Sequence, residues 1–166
     1  MRTLALVLFL LSPTFAQNEA FISIFETPSV TDKKEIFHTL TKDEKDEVRR
    51  LNYSWAIEHL ELNEEKIDYL NRLSKALPTI TKDEVDTYEQ EALQLFEYKE
   101  GLLLFGSIGP YKPCNVFTEY QQAGNCNCSM SSYNTCSGVC GPGVCRWTED
   151  GCGFGWLQGC NSVCVH

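Results

Sequence analysis

The sequence predicts an α-helical bundle or helical-hairpin domain followed by a small disulfide-rich C-terminal module that contains a β-hairpin. Three observations carry that prediction. All nine cysteines lie at or after Cys114; no glycine precedes Gly101, whereas eight of the 11 fall after position 123; and apolar residues between positions 30 and 96 recur at helical spacing. The first stretch can bury apolar stripes, and the second must hold itself together with covalent crosslinks.

The chain opens with "MRTLALVLFLLSPTFAQ". A basic Arg2, an apolar run from Leu4 to Leu11, a breaker at Pro13 and the small-residue end Thr14-Phe15-Ala16 follow the order of a secretory signal peptide. Eight apolar residues fall well short of the roughly 20 that span a bilayer, so residues 1–16 are expected to be removed on export. No later stretch reaches membrane length, and the expected location is extracellular or periplasmic.

Helix signals then recur through residues 17–105. "SVTDKKEIFHTL" offers a short helix with Ser29 as its cap and Ile36, Phe37 and Leu40 on its core face. Thr41-Lys-Asp-Glu44 and Thr81-Lys-Asp-Glu84 are capping boxes. In each, the threonine oxygen accepts an orphan backbone N–H while the glutamate reaches back to the cap. Val48, Leu51 and Trp55 follow the first box, and Val85, Tyr88, Ala92, Leu95 and Phe96 follow the second. Between them Ile67, Leu70, Leu73 and Leu77 form another stripe, stopped by Pro78. The match of "TLTKDE" (39–44) with "TITKDE" (79–84) reads equally as a duplicated helical hairpin or as coincident capping chemistry. Asp46 with Arg50 and Asp68 with Arg72 have the i, i+4 spacing of surface ion pairs, and His38 and His59 read as members of solvated helix faces.

"GSIGPYKPC" marks a linker over 106–123, which leaves 124–166 as the crosslinked module. A unit so small and so poor in long apolar side chains cannot offset chain entropy by burial, and disulfides of about 2–4 kcal/mol each supply the constraint. The odd cysteine total resolves as one plus eight. Cys114 stands alone, unpaired and available for an intermolecular contact, while Cys126, Cys128, Cys136, Cys140, Cys145, Cys152, Cys160 and Cys164 form an even set with 105 formal connectivities. Cys126 and Cys128 share one face of a strand; the four-residue spacings Cys136/Cys140 and Cys160/Cys164 suit one face of a helical turn. Asp150-Gly151 suggests the turn of a hairpin between Trp147 and Phe154-Gly-Trp156.

Chemistry is excluded more readily than it is assigned. The net charge is −9, and residues 17–113 carry 12 Lys/Arg against 20 Asp/Glu, which argues against nucleic acid and anionic membranes as partners. There is no CxxC for zinc, no HExxH, no GxSxG and no phosphate-cradling glycine loop, so no metal, no cofactor and no enzymatic activity are expected. What remains is recognition. Trp147, Phe154, Trp156 and Leu157 sit on a frame with little core to hide them, and they read either as target-binding anchors or as the small core itself.

"NCNCSMSSYNTC" followed by "GVCRWTEDGCGFGWLQGCNSVC" resembles the cysteine-rich region of the fulvocin C-related bacteriocins. The matching positions are Asn125 to Ser129, Tyr133 with Cys136, and the Gly-Cys-Gly-x-Gly-Trp at Gly151 to Trp156, within residues 125–164. The resemblance implies an exported antibacterial precursor whose C-terminal eight-cysteine module is the active part, released by cleavage near Ala123-Gly124 and directed at a bacterial cell-surface target. Residues 125–166 carry Arg146 against Glu149 and Asp150, so attack on membranes by bulk charge is disfavoured. The alternative is an uncleaved, secreted, non-enzymatic binding protein with a cysteine-rich recognition module. A separable tail favours the precursor, and a large apolar interface between the two parts favours the uncleaved protein.

Overall fold

A computed structural model describes residues 18–109, 139–142, 148–160 and 162–165. The signal-like residues 1–16, the expected cleavage point, Trp147, Cys114, Cys126, Cys128, Cys136 and Cys145 lie outside the described residues. The described chain is mostly helical. It holds α1 (Glu19–Glu26), α2 (Val30–Thr39), α3 (Lys42–His59), α4 (Glu64–Ala76), α5 (Lys82–Leu95) and α6 (Tyr98–Phe105). Two short antiparallel pairs follow, β1 (Val139–Pro142) with β4 (Ser162–Val165) and β2 (Thr148–Cys152) with β3 (Gln158–Cys160).

The helices begin where local chemistry starts them. Ser29 accepts the Asp32 amide at the start of α2, and both threonine capping boxes form in full, at α3 with Glu44 and at α5 with Glu84. Hydrogen bonds from Thr41 and Thr81 hold the Glu44 and Glu84 carboxyls below their usual range. Two helices escaped the sequence reading. Asn18 caps α1, and Glu97 with Glu100 forms a third box at α6. Both are eight residues long and too short to display a convincing apolar period, so they form because their apolar faces find partners.

The capping residues and the α4 stripe stand as expected, but one surface pairing does not. Arg72 does meet Asp68, at 3.1 Å. Arg50, by contrast, pairs with Glu47, while Asp46 is taken by Lys42 and Arg49. Residues 106–109, read as the start of a linker, are buried against the helices. Ile108 enters the core, and the Gly109 amide donates to Asn52 Oδ1 at 2.8 Å. The buried ammonium of Lys33 donates to the carbonyls of Phe25 and Ile108, which ties the end of α1 to this segment. Burial lowers its pKa to about 8.

The strands also correct two expectations. Cys160 and Cys164 lie on β3 and β4 rather than on one helical turn, and Cys140 sits on β1 directly opposite Cys164 in the register. Asp150-Gly151 lies within β2, not at its turn. The reversal is instead a 3-10 turn, Phe154–Trp156. Gly153 and Gly155 flank Phe154 at φ 66° and 56°, a region open to glycine, and they supply the reversal that Asp150-Gly151 was expected to make.

Removing the threonine oxygen from either capping box, Thr41→Ala or Thr81→Ala, should cost about 1 kcal/mol of stability. Urea unfolding followed by far-ultraviolet circular dichroism checks this, with the exposed Leu93→Ala as a reference expected to stay within about 0.5 kcal/mol.

Candidate functional site

The candidate site is the seam where β2, the 3-10 turn and β3 lie against the helices. It begins with Phe154 and Trp156, which are 0% and 1% exposed. Phe154 packs on Phe105 of α6 with ring centroids 4.6 Å apart, and Trp156 meets Phe37 of α2 edge-on at 5.0 Å. Both belong to the same continuous core as Phe21, Val48, Tyr69 and Leu73. The Trp156 indole Nε1 donates to the Gly106 carbonyl at 3.1 Å, so its single polar atom is satisfied inside that core. Burial of each such side chain contributes about 1.5–3 kcal/mol.

Expected target-binding anchors are therefore docked on this chain's own helices. Of the four residues singled out, Phe154 and Trp156 are buried core, Leu157 is half-buried against it, and Trp147 lies outside the described residues. Placed among few long apolar residues in its own module, the aromatic pair finds in the helical segment the apolar surface that the module lacks.

Arg49 of α3 is the polar centre of the seam. Its side chain is 2% exposed. Nε donates to the Gly155 carbonyl at 3.0 Å and one terminal nitrogen to the Trp156 carbonyl at 2.6 Å. The same guanidinium meets Asp46 at 2.9 Å and Asp150 at 3.2 Å, and its flat face lies 4.9 Å from the centre of the Phe37 ring. A planar fork with five donors is suited to this work, since it satisfies two carbonyls of an irregular turn and two carboxylates together. Lys45 adds a second cation to Asp150 at 3.0 Å. On the other strand, Gln158 donates to Glu89 of α5 at 2.9 Å.

Covalent and steric constraints complete the seam. Cys152 and Cys160 are disulfide-bonded across β2 and β3, with Lys34 Nζ 3.4 Å from the Cys152 sulfur and over the Trp156 ring. Trp156 itself has φ 58°, a left-handed conformation that a bulky residue holds only when its surroundings demand it. A Cβ at Gly155 would stand 2.6 Å from the Tyr53 hydroxyl, and one at Gly151 would run into the His38 ring. The alternating glycines of "GCGFGW" thus let the backbone approach α2 and α3 closely. His38 is solvent-accessible as expected, but it is also a wall of the seam.

Beside the seam an open cleft of about 920 Å³ is lined in part by Lys42, Lys82, Asp86, Glu89, Leu157 and Gln158. Among the described residues its lining mixes both signs of charge with Leu77, Ile80, Val85 and Leu157 and presents no nucleophile paired with a base. Among the described residues no group of three or more His, Cys, Asp or Glu side chains is placed to hold a metal ion. Among the same residues no helix is long and apolar enough to cross a membrane. Comparison with protein families, with curated proteins and with solved structures finds no match to this chain.

Two outcomes follow for the seam. Arg49→Gln takes the guanidinium from the buried Gly155 and Trp156 carbonyls and from Asp46 and should cost about 3–5 kcal/mol, and Arg49→Lys should recover little because an ammonium cannot span both carbonyls. Urea unfolding monitored by tryptophan fluorescence measures both, and a loss under 1 kcal/mol for Arg49→Gln contradicts the assigned role.

The seam is expected to be pH-sensitive through His38. Burial lowers its pKa from the ordinary 6.5, with Lys45 and Lys34 acting the same way and Asp150 opposing them. The folded state therefore prefers the neutral ring, so its stability is fully present above about pH 6.5 and declines as pH falls through the lowered folded value. Urea midpoints at pH 7.5 and 5.0 should differ more in the native chain than in His38→Gln; equal differences contradict this assignment.

Proposed function

We propose that this chain is an exported, bacteriocin-like antibacterial precursor in which the C-terminal cysteine-rich module is the active part and a helical bundle holds it with its aromatic turn masked. One observation carries the reading: the Gly-Cys-Gly-x-Gly-Trp stretch, the centre of the resemblance, is the stretch that the helices clamp through Arg49, Phe37 and Phe105. While docked, Phe154 and Trp156 are withheld from any other surface. Release of residues 124–166 would expose them as anchors for a bacterial cell-surface partner. The Cys152–Cys160 disulfide agrees with an oxidising compartment, as the signal-like residues 1–16 require.

The apolar seam also favours a second reading, in which the chain works uncleaved as a secreted, non-enzymatic binding protein. There the helices complete the core of the cysteine-rich module permanently, and recognition falls to the module's outer surface. The two readings differ in what separation does.

A specific protease site placed between Ala123 and Gly124 of the oxidised full chain tests them. On the first reading, cleavage followed by removal of the helical part converts an inactive protein into one that kills susceptible bacteria. Intact mass spectra of protein from the secreting cell's medium should then show a species of about 43 residues that gains about eight hydrogens on reduction. A secreted species that ends at His166 with its helices still attached, and no gain of killing after cleavage, supports the second reading instead.

A further inference from the structure

A module with eight cysteines has to choose its pairs, and the helices are built around one of them. Cys152 and Cys160 are 0% and 1% exposed, and both strands that carry them are tethered to helices. On β2, Asp150 is held by Lys45 and Arg49 of α3; on β3, Gln158 is held by Glu89 of α5. These clamps set the two Cα atoms 5.2 Å apart, inside the narrow range that a disulfide accepts. The third partner is Lys34 of α2, 4% exposed, with its Nζ 3.4 Å from the Cys152 sulfur. A disulfide sulfur is a weak acceptor, so an ammonium here gains far more from a Cys152 thiolate than from the finished bond.

We propose that the helical segment directs the oxidation of this pair, with Lys34 holding Cys152 as the attacking thiolate. The Cys160 thiolate first exchanges with a small disulfide of the glutathione class, forming a mixed disulfide and releasing one small thiolate. The Cys152 thiolate, paired with the Lys34 ammonium, then attacks the Cys160 sulfur. The Cys152–Cys160 bond forms, the second small thiolate departs and takes a proton from water, and the small disulfide has been reduced by the two electrons that the cysteine pair lost. The inference does not depend on whether the module is later cleaved, because it concerns how the chain reaches its oxidised state.

Among the described residues, the charged and titratable groups facing this corner are Lys34 and His38 of α2, Lys45, Asp46 and Arg49 of α3, Glu89 of α5 through Gln158, and Asp150 of β2 with its neighbour Glu149. Lys45 and Arg49 are matched by Asp46 and Asp150, so what favours the thiolate at Cys152 is the contact itself, with Lys34 Nζ 3.4 Å from its sulfur. Nucleophilicity falls as acidity rises, so a tenfold gain in thiolate should speed attack by about threefold.

The reduced full chain, refolded in a glutathione mixture and sampled by alkylation and disulfide mapping, tests this directly. Formation of Cys152–Cys160 should slow about threefold to tenfold in Lys34→Met and return towards the native rate in Lys34→Arg, which keeps the charge. A second measurement needs no change at Lys34: in the refolded Cys160→Ser chain, the ultraviolet thiolate absorbance that disappears on adding Cys152→Ser should show a pH midpoint below the ordinary thiol value of about 8.5. A native rate in Lys34→Met overturns the proposal, and so does an ordinary midpoint at Cys152.

Discussion

The seam of β2, the 3-10 turn and β3 against the helices depends on one buried cation. Arg49 meets the carbonyls of Gly155 and Trp156, two carboxylates and an aromatic face from a single position on α3. Those carbonyls belong to a turn with no ladder to satisfy them, and without a donor each would be an unpaired polar group in an apolar seam. Everything else at the seam presupposes that they are satisfied. Trp156 can keep its left-handed backbone, Phe154 can reach Phe105, and β2 and β3 can bring their cysteines together only once the turn is pinned.

Local elements of this fold were legible in the sequence because their causes are local. Thr41 with Glu44, Thr81 with Glu84, Ser29, and the α4 stripe ending at Pro78 each act within a turn or two of the helix, and each appears where its chemistry places it. The seam was not legible, for the same reason. Arg49 sits in "KDEKDEVRR", where helical spacing shows which residues share a face of α3 but not what reaches that face from about a hundred positions away. Arg49 is the residue to suspect in hindsight, since it stands beside Val48 on the edge of the apolar stripe and can bring its charge into the core if carbonyls meet it there. Asp150-Gly151 misled because that dipeptide serves as well in a bulged strand beside a histidine as in a hairpin turn.

The glycines of "GCGFGW" change meaning once the seam is known. On a free peptide, alternating glycine around aromatic residues reads as a flexible loop that displays its rings. In this chain Gly153 turns the backbone, while Gly151 and Gly155 bring it against His38 and Tyr53. The motif that carries the family resemblance is thus a docking motif for the helices. A peptide that retained this conformation after release would carry an apolar face shaped by a partner it no longer had.

Charge makes the same point from the other side. The helical segment is strongly acidic, with 20 Asp/Glu against 12 Lys/Arg over residues 17–113, and the module it holds is also slightly acidic. Two bodies of like net charge do not attract at long range, so bulk electrostatics cannot assemble them. Instead Lys34, Lys45 and Arg49 gather at the seam and face Asp150 and the turn carbonyls. Attraction of this kind acts only at contact, where burial strengthens it and salt screens it little. Association is thereby favoured in the one geometry in which the aromatic turn is also buried. A seam built this way is specific for a single docked geometry, and the His38 ring, which desolvation beside Lys45 and Lys34 favours as neutral, forms one of its walls.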